Sequence, residues 1–378
     1  FMAGALVTTN ILNTVAAMGL SALREKIVMP RLVNRDYEEQ ISGAKKNATV
    51  NVSIPASITA RTVAPDVVPP AVTAVTPTVK AVTLDQWYEA PFAMDDKGLA
   101  QVQKGIVPMQ ITEAIKAIAN NVDNYIWGLT HGAYGFYGYT GTAGTTPCAS
   151  TTADFLAASK LASDQLMDDE PRFMLIDTAL EANARGLRAF ADASYSGGTQ
   201  TIIKGTIGEK LGANWIRTQN VPTHTNTGTG TILVNDASVS VGDTTLTWDG
   251  GGTAPAAGDI FTVAGDTQTY CVVSSTSTVI TMNPTAQVAW ADNAAVTFKA
   301  DHVVNTLMHR DAIAFAMAPL VDTVQVPGAS HQGVAIDEES GLSLRVEVTR
   351  QHRQWQWAFD ALYGASVIRQ ELGVRLAG

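Results

Sequence analysis

Apolar and polar residues alternate with period two over Val50-Asn51-Val52-Ser53-Ile54 and again over Thr78-Val79-Lys80-Ala81-Val82-Thr83-Leu84. That alternation predicts two half-buried strands. Six of the fifteen prolines (Pro55, Pro65, Pro69, Pro70, Pro77 and Pro91) fall within residues 44–95. Proline cannot donate to a strand ladder and is confined to edges and bulges. Two such strands around a Pro/Val/Ala/Thr tip, Val63 to Thr76, predict a long hairpin standing out from the body. A lone two-stranded ribbon is marginal in water, so this arm is expected to pack on a neighbouring molecule.

The period then changes to that of a helix. Ile111, Ile115, Ile118, Val122, Ile126 and Leu129 recur at three- and four-residue steps, and Val102 and Ile106 extend the stripe upstream to about Leu99. This predicts one long amphipathic helix with a kink or restart at Pro108, ended by the Gly-rich run from Gly128 to Gly144. Residues 150–222 read as α/β: a helix opened by a capping box at Thr151 and Asp154 and running through Met167, a strand from Arg172 to Ile176, a helix carrying Leu180, Ala184, Leu187 and Phe190, and a strand over Asn214–Arg217.

From Asn226 to Ala300 no helical period survives. Short β-branched runs recur instead: Thr231–Val234, Thr245–Trp248, Asp259–Val263, Thr269–Val273, Val279–Met282 and Ala295–Phe298, separated by turn signals such as Asp249-Gly250-Gly251-Gly252 and Ala264-Gly265-Asp266. We read this block as a small β-barrel or sandwich inserted into the preceding domain. A mixed pattern follows through Asp301 to Thr323. The chain then closes with a hairpin, Leu342, Leu344, Val346 and Val348 alternating against Trp355, Trp357, Phe359, Ala361 and Tyr363.

Composition sharpens this picture. Of 378 residues only 16% are charged, against 46% hydrophobic; an average soluble chain has about 25% charged. A surface so poor in charge is expected to be covered, most simply by further copies of the chain. The net charge of −10 argues against sequence-independent nucleic-acid binding, which needs cations to displace the counterions of phosphate. The inserted block supplies half of that charge through Asp236, Asp243, Asp249, Asp259, Asp266 and Asp292 against Lys299. Two cysteines, Cys148 and Cys271, exclude a disulfide scaffold and fit a reducing compartment. No apolar run is long enough for a membrane span. The N-terminal stretch lacks a basic residue before Arg24 and is broken by Thr8, Thr9, Asn10 and Asn13, so it reads as an amphipathic arm with Ile11, Val15 and Met18 on one face.

A search for chemistry finds none. The histidines His131, His224, His302, His309, His331 and His352 show no metal-ligand spacing and are expected to be satisfied or at the surface. Asp168-Asp169-Glu170, at a helix end before Pro171, reads as a solvated loop. The glycine-rich stretches lack phosphate-binding contexts, there is no nucleophile elbow, and Cys148 has no neighbouring base. The expectation is a protein without catalytic residues, cofactor or metal.

The order of elements, together with three segments, resembles the major capsid proteins of tailed bacteriophages with the Hong Kong phage 97-type fold. Val82–Asp96 is similar to that family's strand leading from its extended loop into the spine helix. Leu307, His309, Asp311, Ala312, Ala314 and Ala316 match its Leu-x-His-x-Asp-Ala-x-Ala-x-Ala segment. Trp357–Gly364 with Arg369–Arg375 resembles its closing motif. The inserted β-block is similar to the coat-protein branch of the short-tailed Salmonella phage.

The resemblance implies an α+β fold with an N-terminal arm (1–43), an extended loop (44–97), a spine helix and the first part of the peripheral and axial domains (98–225), an inserted barrel (226–300) and the axial remainder with the C-terminal hairpin (301–378). It implies hexamers and pentamers of the chain assembling, in the bacterial host cytoplasm, into an icosahedral virion shell around double-stranded DNA, without sequence-specific contacts to it. A scaffolding protein, a portal and a decoration protein are the implied partners. The scaffolding function is expected on a separate chain, because no large acidic coiled-coil N-terminal segment is seen. The loop tip from Val63 to Thr76 has no lysine, which implies a shell without covalent crosslinks. Arg61 and Lys80 on the arm, and Asp249 and Asp266 at barrel turns, are the expected intersubunit contacts. An encapsulin-type compartment and, more remotely, a secreted carbohydrate-binding β-protein are the alternatives.

Overall fold

The computed structural model describes residues 27–36, 48–56, 74–96, 106–192, 203–235, 239–318, 331–336 and 342–378, with a few isolated positions outside these ranges. The chain divides into two compact units. One combines Phe1–Leu20, Arg35–Gln101 and Ala314–Ile368; the other combines Ser21–Asn34, Val102–Ile313 and Arg369–Gly378. Strands and α-helices are numbered below in chain order.

In the first unit, β1 (Thr49–Ile54) pairs antiparallel with β2 (Thr78–Thr83), Thr49 opposite Thr83 and Ile54 opposite Thr78. This is the hairpin expected from the alternation, although residues 63–73 of its tip lie outside the described residues. Val50, Val52, Val82 and Leu84 at its base are buried against Ala314, Ala316, Ala318 and Leu362. The rest of the unit is a five-stranded sheet of β3 (Gln86–Asp95), β16 (Ile313–Ala318), β17 (His331–Ile336), β18 (Ser343–Gln351) and β19 (Gln354–Val367). β18 and β19 form the closing hairpin, with a two-residue turn at His352 and Arg353, both at positive φ (45° and 62°). Positive φ at both central positions matches the right-handed twist of the flanking strands.

In the second unit, α1 (Ile106–Thr130) buries Ile115, Ile118, Val122, Ile126 and Trp127. The expected upstream extension, residues 99–105, lies outside the described residues. Pro108 falls in the first turn, where its missing N–H leaves no bond unmade. A seven-stranded sheet contains β4 (Gly138–Gly141), β5 (Arg172–Ile176), β6 (Gly208–Lys210), β7 (Ala213–Arg217), β8 (Thr223–His224), β15 (His302–His309) and β20 (Gly373–Ala377). α2 (Ala153–Asp164), α3 (Thr178–Gly186) and the short α4 (Arg188–Ala191) accompany it. Trp215 of β7 packs between Phe155 of α2 and Phe190 of α4, with ring centroids 4.7 and 5.1 Å away.

Two sequence expectations change here. The N-cap of α2 is Thr152, which makes no side-chain cap bond, and Asp154 instead accepts from the Cys148 amide at 2.8 Å. The helix also stops at Asp164, short of Met167. Leu166 adopts φ 60°, and its amide and that of Met167 bond back to Ser163 and Ala162, closing a Schellman turn. The working N-cap is at α3, where Asp177 accepts from the Leu180 and Ala179 amides at 2.9 and 3.1 Å.

The inserted block forms a closed six-stranded barrel: β9 (Ile232–Val234), β10 (Thr245–Gly250), β11 (Ile260–Val263), β12 (Tyr270–Ser275), β13 (Val279–Asn283) and β14 (Ala295–Phe298), in the order β10-β13-β12-β11-β14-β9. Each overlaps one of the six strands expected from sequence. Its core, from Ile232 and Val234 through Trp248, Phe261 and Tyr270 to Trp290 and Val296, draws only on residues of the insertion.

Candidate assembly surfaces and a buried polar seam

The ribbon changes character along its length. Its base is packed, but Val79 is 54% exposed and Val75 55%, and among the described residues β1 and β2 pair only with each other. Lys80 lies opposite Val52 in this ribbon and is half-buried. Arg61 lies outside the described residues. Asp249 sits in β10 opposite Leu233 of β9 and is exposed.

Asp266, the other expected contact at a barrel turn, is half-buried. Its oxygens accept from the Tyr270 hydroxyl at 2.7 Å, Trp290 Nε1 at 3.2 Å and the Gln268 amide at 2.9 Å. Tyr270 and Trp290 belong to the barrel core, so Asp266 ties a turn to that core. Asp169 is 92% exposed, as a solvated loop requires, yet lies 3.1 Å from buried Arg172. Arg172 also donates to the carbonyls of Asp168 (2.8 Å) and Met167 (2.6 Å), completing the end of α2.

The densest polar cluster is one that sequence spacing did not disclose. Where the barrel meets the sheet, Arg375 of β20 is fully buried and donates from Nη1 to the Gly258 carbonyl at 3.0 Å, while its Nη2 lies 3.7 Å from Cys271 Sγ. Burial pulls the guanidinium down from its ordinary value without neutralising it. Asp259, also fully buried, lies 3.0 Å from His224 Nε2 and accepts from the amides of Thr227, Gly228 and Ala256 at 2.9–3.1 Å. Burial alone raises the Asp259 carboxyl, but these bonds outweigh it and hold it below the usual carboxylate range.

Three imidazoles face one another here. The His131 and His224 ring centroids are 5.8 Å apart, and His224 and His302 are 5.4 Å apart. His131 Nδ1 is bonded to the Trp127 carbonyl and His302 Nδ1 to the Ala300 carbonyl, each at 2.9 Å, while His302 Nε2 has no partner among the described residues. Burial, reinforced by the Arg375 charge, lowers both His131 and His302 to about 4. Cys271 is pushed up by burial and Cys148 is pushed up to about 11, so neither thiol is poised as a nucleophile. Among the described residues no group of histidine, cysteine or carboxylate side chains has the geometry to hold a metal ion. No described helix is long and apolar enough to cross a membrane.

No family model matches the sequence, and no curated protein matches it. Solved structures do. A structure from Mycobacterium phage Che8 aligns with TM-score 0.49 and 17% identity over 92% of this chain and 90% of that one. The capsid of Ralstonia phage GP4 aligns with TM-score 0.47 and 9% identity over 92% and 86%. A virus-like particle from Pyrococcus furiosus aligns with TM-score 0.43 and 8% identity over 97% and 98%. The solved structures to which this chain is similar include phage capsids and a virus-like particle.

Proposed function

We propose that this chain is the major capsid protein of a tailed bacteriophage, with the Hong Kong phage 97-type fold and an inserted barrel. In this reading it assembles as hexamers and pentamers into an icosahedral shell around double-stranded DNA. The observation that carries the reading is the β1–β2 ribbon, anchored at its base and uncovered beyond it. Its outer valines and unpaired strand edges ask for a neighbour, and strand addition or apolar docking on a second copy supplies one. Low charge density suits the large apolar interfaces of obligate assemblies, which exceed about 2,000 Å². The motif segments noted above sit in β3, in β15 and β16, and in β19 and β20. A net charge of −10 fits a shell that encloses DNA without gripping it. Scaffolding, portal and decoration proteins complete the proposed assembly, and contacts through Arg61, Lys80, Asp249 and Asp266 remain part of the proposal.

Electron microscopy of the purified chain, expressed alone and then with the scaffolding protein encoded beside it, tests this directly. Closed shells or tubes with a hexameric surface lattice are expected, dissociating on boiling in detergent to a single 39.9 kDa band because no crosslink forms. Monodisperse monomers under both conditions overturn the proposal. Shells purified from infected cells that enclose an enzyme rather than nuclease-protected DNA assign the chain to a compartment instead.

A further inference from the structure

Leucine stands twice where the backbone disfavours it and solvent surrounds it. Leu166 closes the turn after α2 at φ 60°, a position usually held by glycine, and is 86% exposed. Leu211 and Gly212 turn β6 into β7 at φ 54° and 77°, a geometry that favours asparagine or glycine at the first position, and Leu211 is 47% exposed. In the isolated chain each leucine adds backbone strain and buries little in return.

The two leucines share one end of the seven-stranded sheet. Leu211 lies just before β7, and Arg172, the first residue of β5, donates to the carbonyl of Met167, the neighbour of Leu166. β5 and β7 are parallel partners, with Phe173 beside Asn214, so this is the end where both strands begin. Asp168, Asp169 and Glu170 are exposed there. Of the cations at this end, Arg172 is buried and turned onto the Asp168 and Met167 carbonyls, and Lys210 and Arg310 are already engaged.

The end where β5 and β7 finish has the opposite character. Buried Glu181 of α3 holds Arg185 and, at 3.3 Å, Arg217, the last residue of β7. A Cβ at Gly205 would touch the Arg185 guanidinium at 3.6 Å, so Lys204 and the 72% exposed Ile203 lie beside the same group. Arg185, Arg217 and Lys204 outnumber the Glu181 carboxylate, while the Asp177 carboxylate is committed to the α3 amides. One end therefore presents leucines fringed by carboxylates, and the other an isoleucine fringed by cations. Like ends repel each other; unlike ends fit. We propose that the leucine end of one copy docks on the arginine end of the next, a heterologous contact of the kind that closes into rings. The contact rests on the assembly reading above and names the surfaces through which copies meet.

Charge reversal tests the pairing, with sedimentation velocity and native mass spectrometry of the full chain as the readout. Asp168→Lys with Glu170→Lys reverses the leucine end, and Lys204→Glu with Arg217→Gln reverses the arginine end. Each variant alone is expected to lose self-association by roughly 10-fold or more, because its two ends now carry like charge. An equimolar mixture should recover it in rings of even number only, since the two variants must alternate. Leu166→Gly should weaken association roughly 10- to 100-fold, yet leave the thermal midpoint of the unassembled chain unchanged or higher, because the left-handed residue is relieved. Variants that associate like wild type, or a mixture of folded variants that stays dissociated, overturn the contact and leave the shell reading standing. Rings that never build shells keep the contact and remove that reading, and a wild-type chain that stays monomeric overturns both. A lower thermal midpoint for Leu166→Gly assigns Leu166 to the fold of the single chain and also overturns the proposal; this variant decides where a charge-reversed one fails to fold.

Discussion

Asp360, at the residue scale, shows how a charge is held inside this protein. It is 5% exposed and receives Arg345 through both guanidinium arms, Nε to Oδ1 at 2.9 Å and Nη2 to Oδ2 at 2.5 Å, while Trp87 Nε1 donates to Oδ2 at 2.8 Å. The pair joins neighbouring strands, since Arg345 of β18 stands opposite Asp360 of β19. Asp360→Asn keeps the shape but removes the carboxylate charge from this buried pair. Breaking a buried pair from one side typically costs about 3–5 kcal/mol. Urea denaturation should show a lower midpoint of that size, whereas the exposed Asp249→Asn should stay within about 0.5 kcal/mol of wild type. Sequence reading placed Asp360 in the closing strand but had no means of pairing it with Arg345. It likewise treated Asp266 and the histidines singly. His224 of β8 and His302 of β15 are cross-strand partners and His131 follows the end of α1, so no spacing along the chain announces their cluster, and only the folded sheet creates it.

Legibility is higher among elements, and unevenly so. The barrel strands were readable because each is a short β-branched run between glycine and aspartate turns, and the ribbon because one face is buried and the other wet. The stretch through β15 and β16 was not. His302–His309 and Ile313–Ala318 are buried nearly throughout, so the alternation that marks a strand is erased. The spatial consequence of Gly364 was equally hidden. A Cβ there would lie 2.0 Å from the Thr83 carbonyl oxygen and 2.8 Å from its carbon, because β19 crosses the end of β2 at backbone contact. Gly364→Ala must push these strands apart and with them the base of the ribbon. Overpacking of this kind usually costs about 1–3 kcal/mol, and the upper end is expected where the opposing atom is backbone. Gly186→Ala, at the end of α3 with nothing within 4 Å of the added carbon, is the matched control. It should be neutral or more stable by up to about 1 kcal/mol. Thermal unfolding of the two variants side by side separates the crowding from any general effect of replacing glycine.

At the scale of the whole molecule, buried groups of opposite response set how stability varies with pH. Asp123 on α1 accepts from the amides of Val28 and Met29 at 3.1–3.3 Å, yet burial outweighs these bonds and raises its carboxyl to about 6. Between the unfolded value of about 3.8 and that folded value, the native state holds more protons at this site, so stability falls as pH rises. His131 and His302, lowered from 6.5 to about 4, act the other way: the unfolded chain holds more protons, and their contribution is full above pH 6.5 and lost as pH falls toward 4. Two sites against one leave a net gain of about 1 kcal/mol per pH unit between roughly pH 4.5 and 5.5. Asp123→Asn removes the opposing site and should about double that slope, while His131→Gln with His302→Gln should reverse its sign. Urea midpoints measured across this interval for the three proteins check the assignment, since titrations common to all of them cancel in the differences. Equal slopes in all three would mean that these buried groups titrate alike in the folded and unfolded chains. The acid response would then belong to exposed carboxylates and not to the interior.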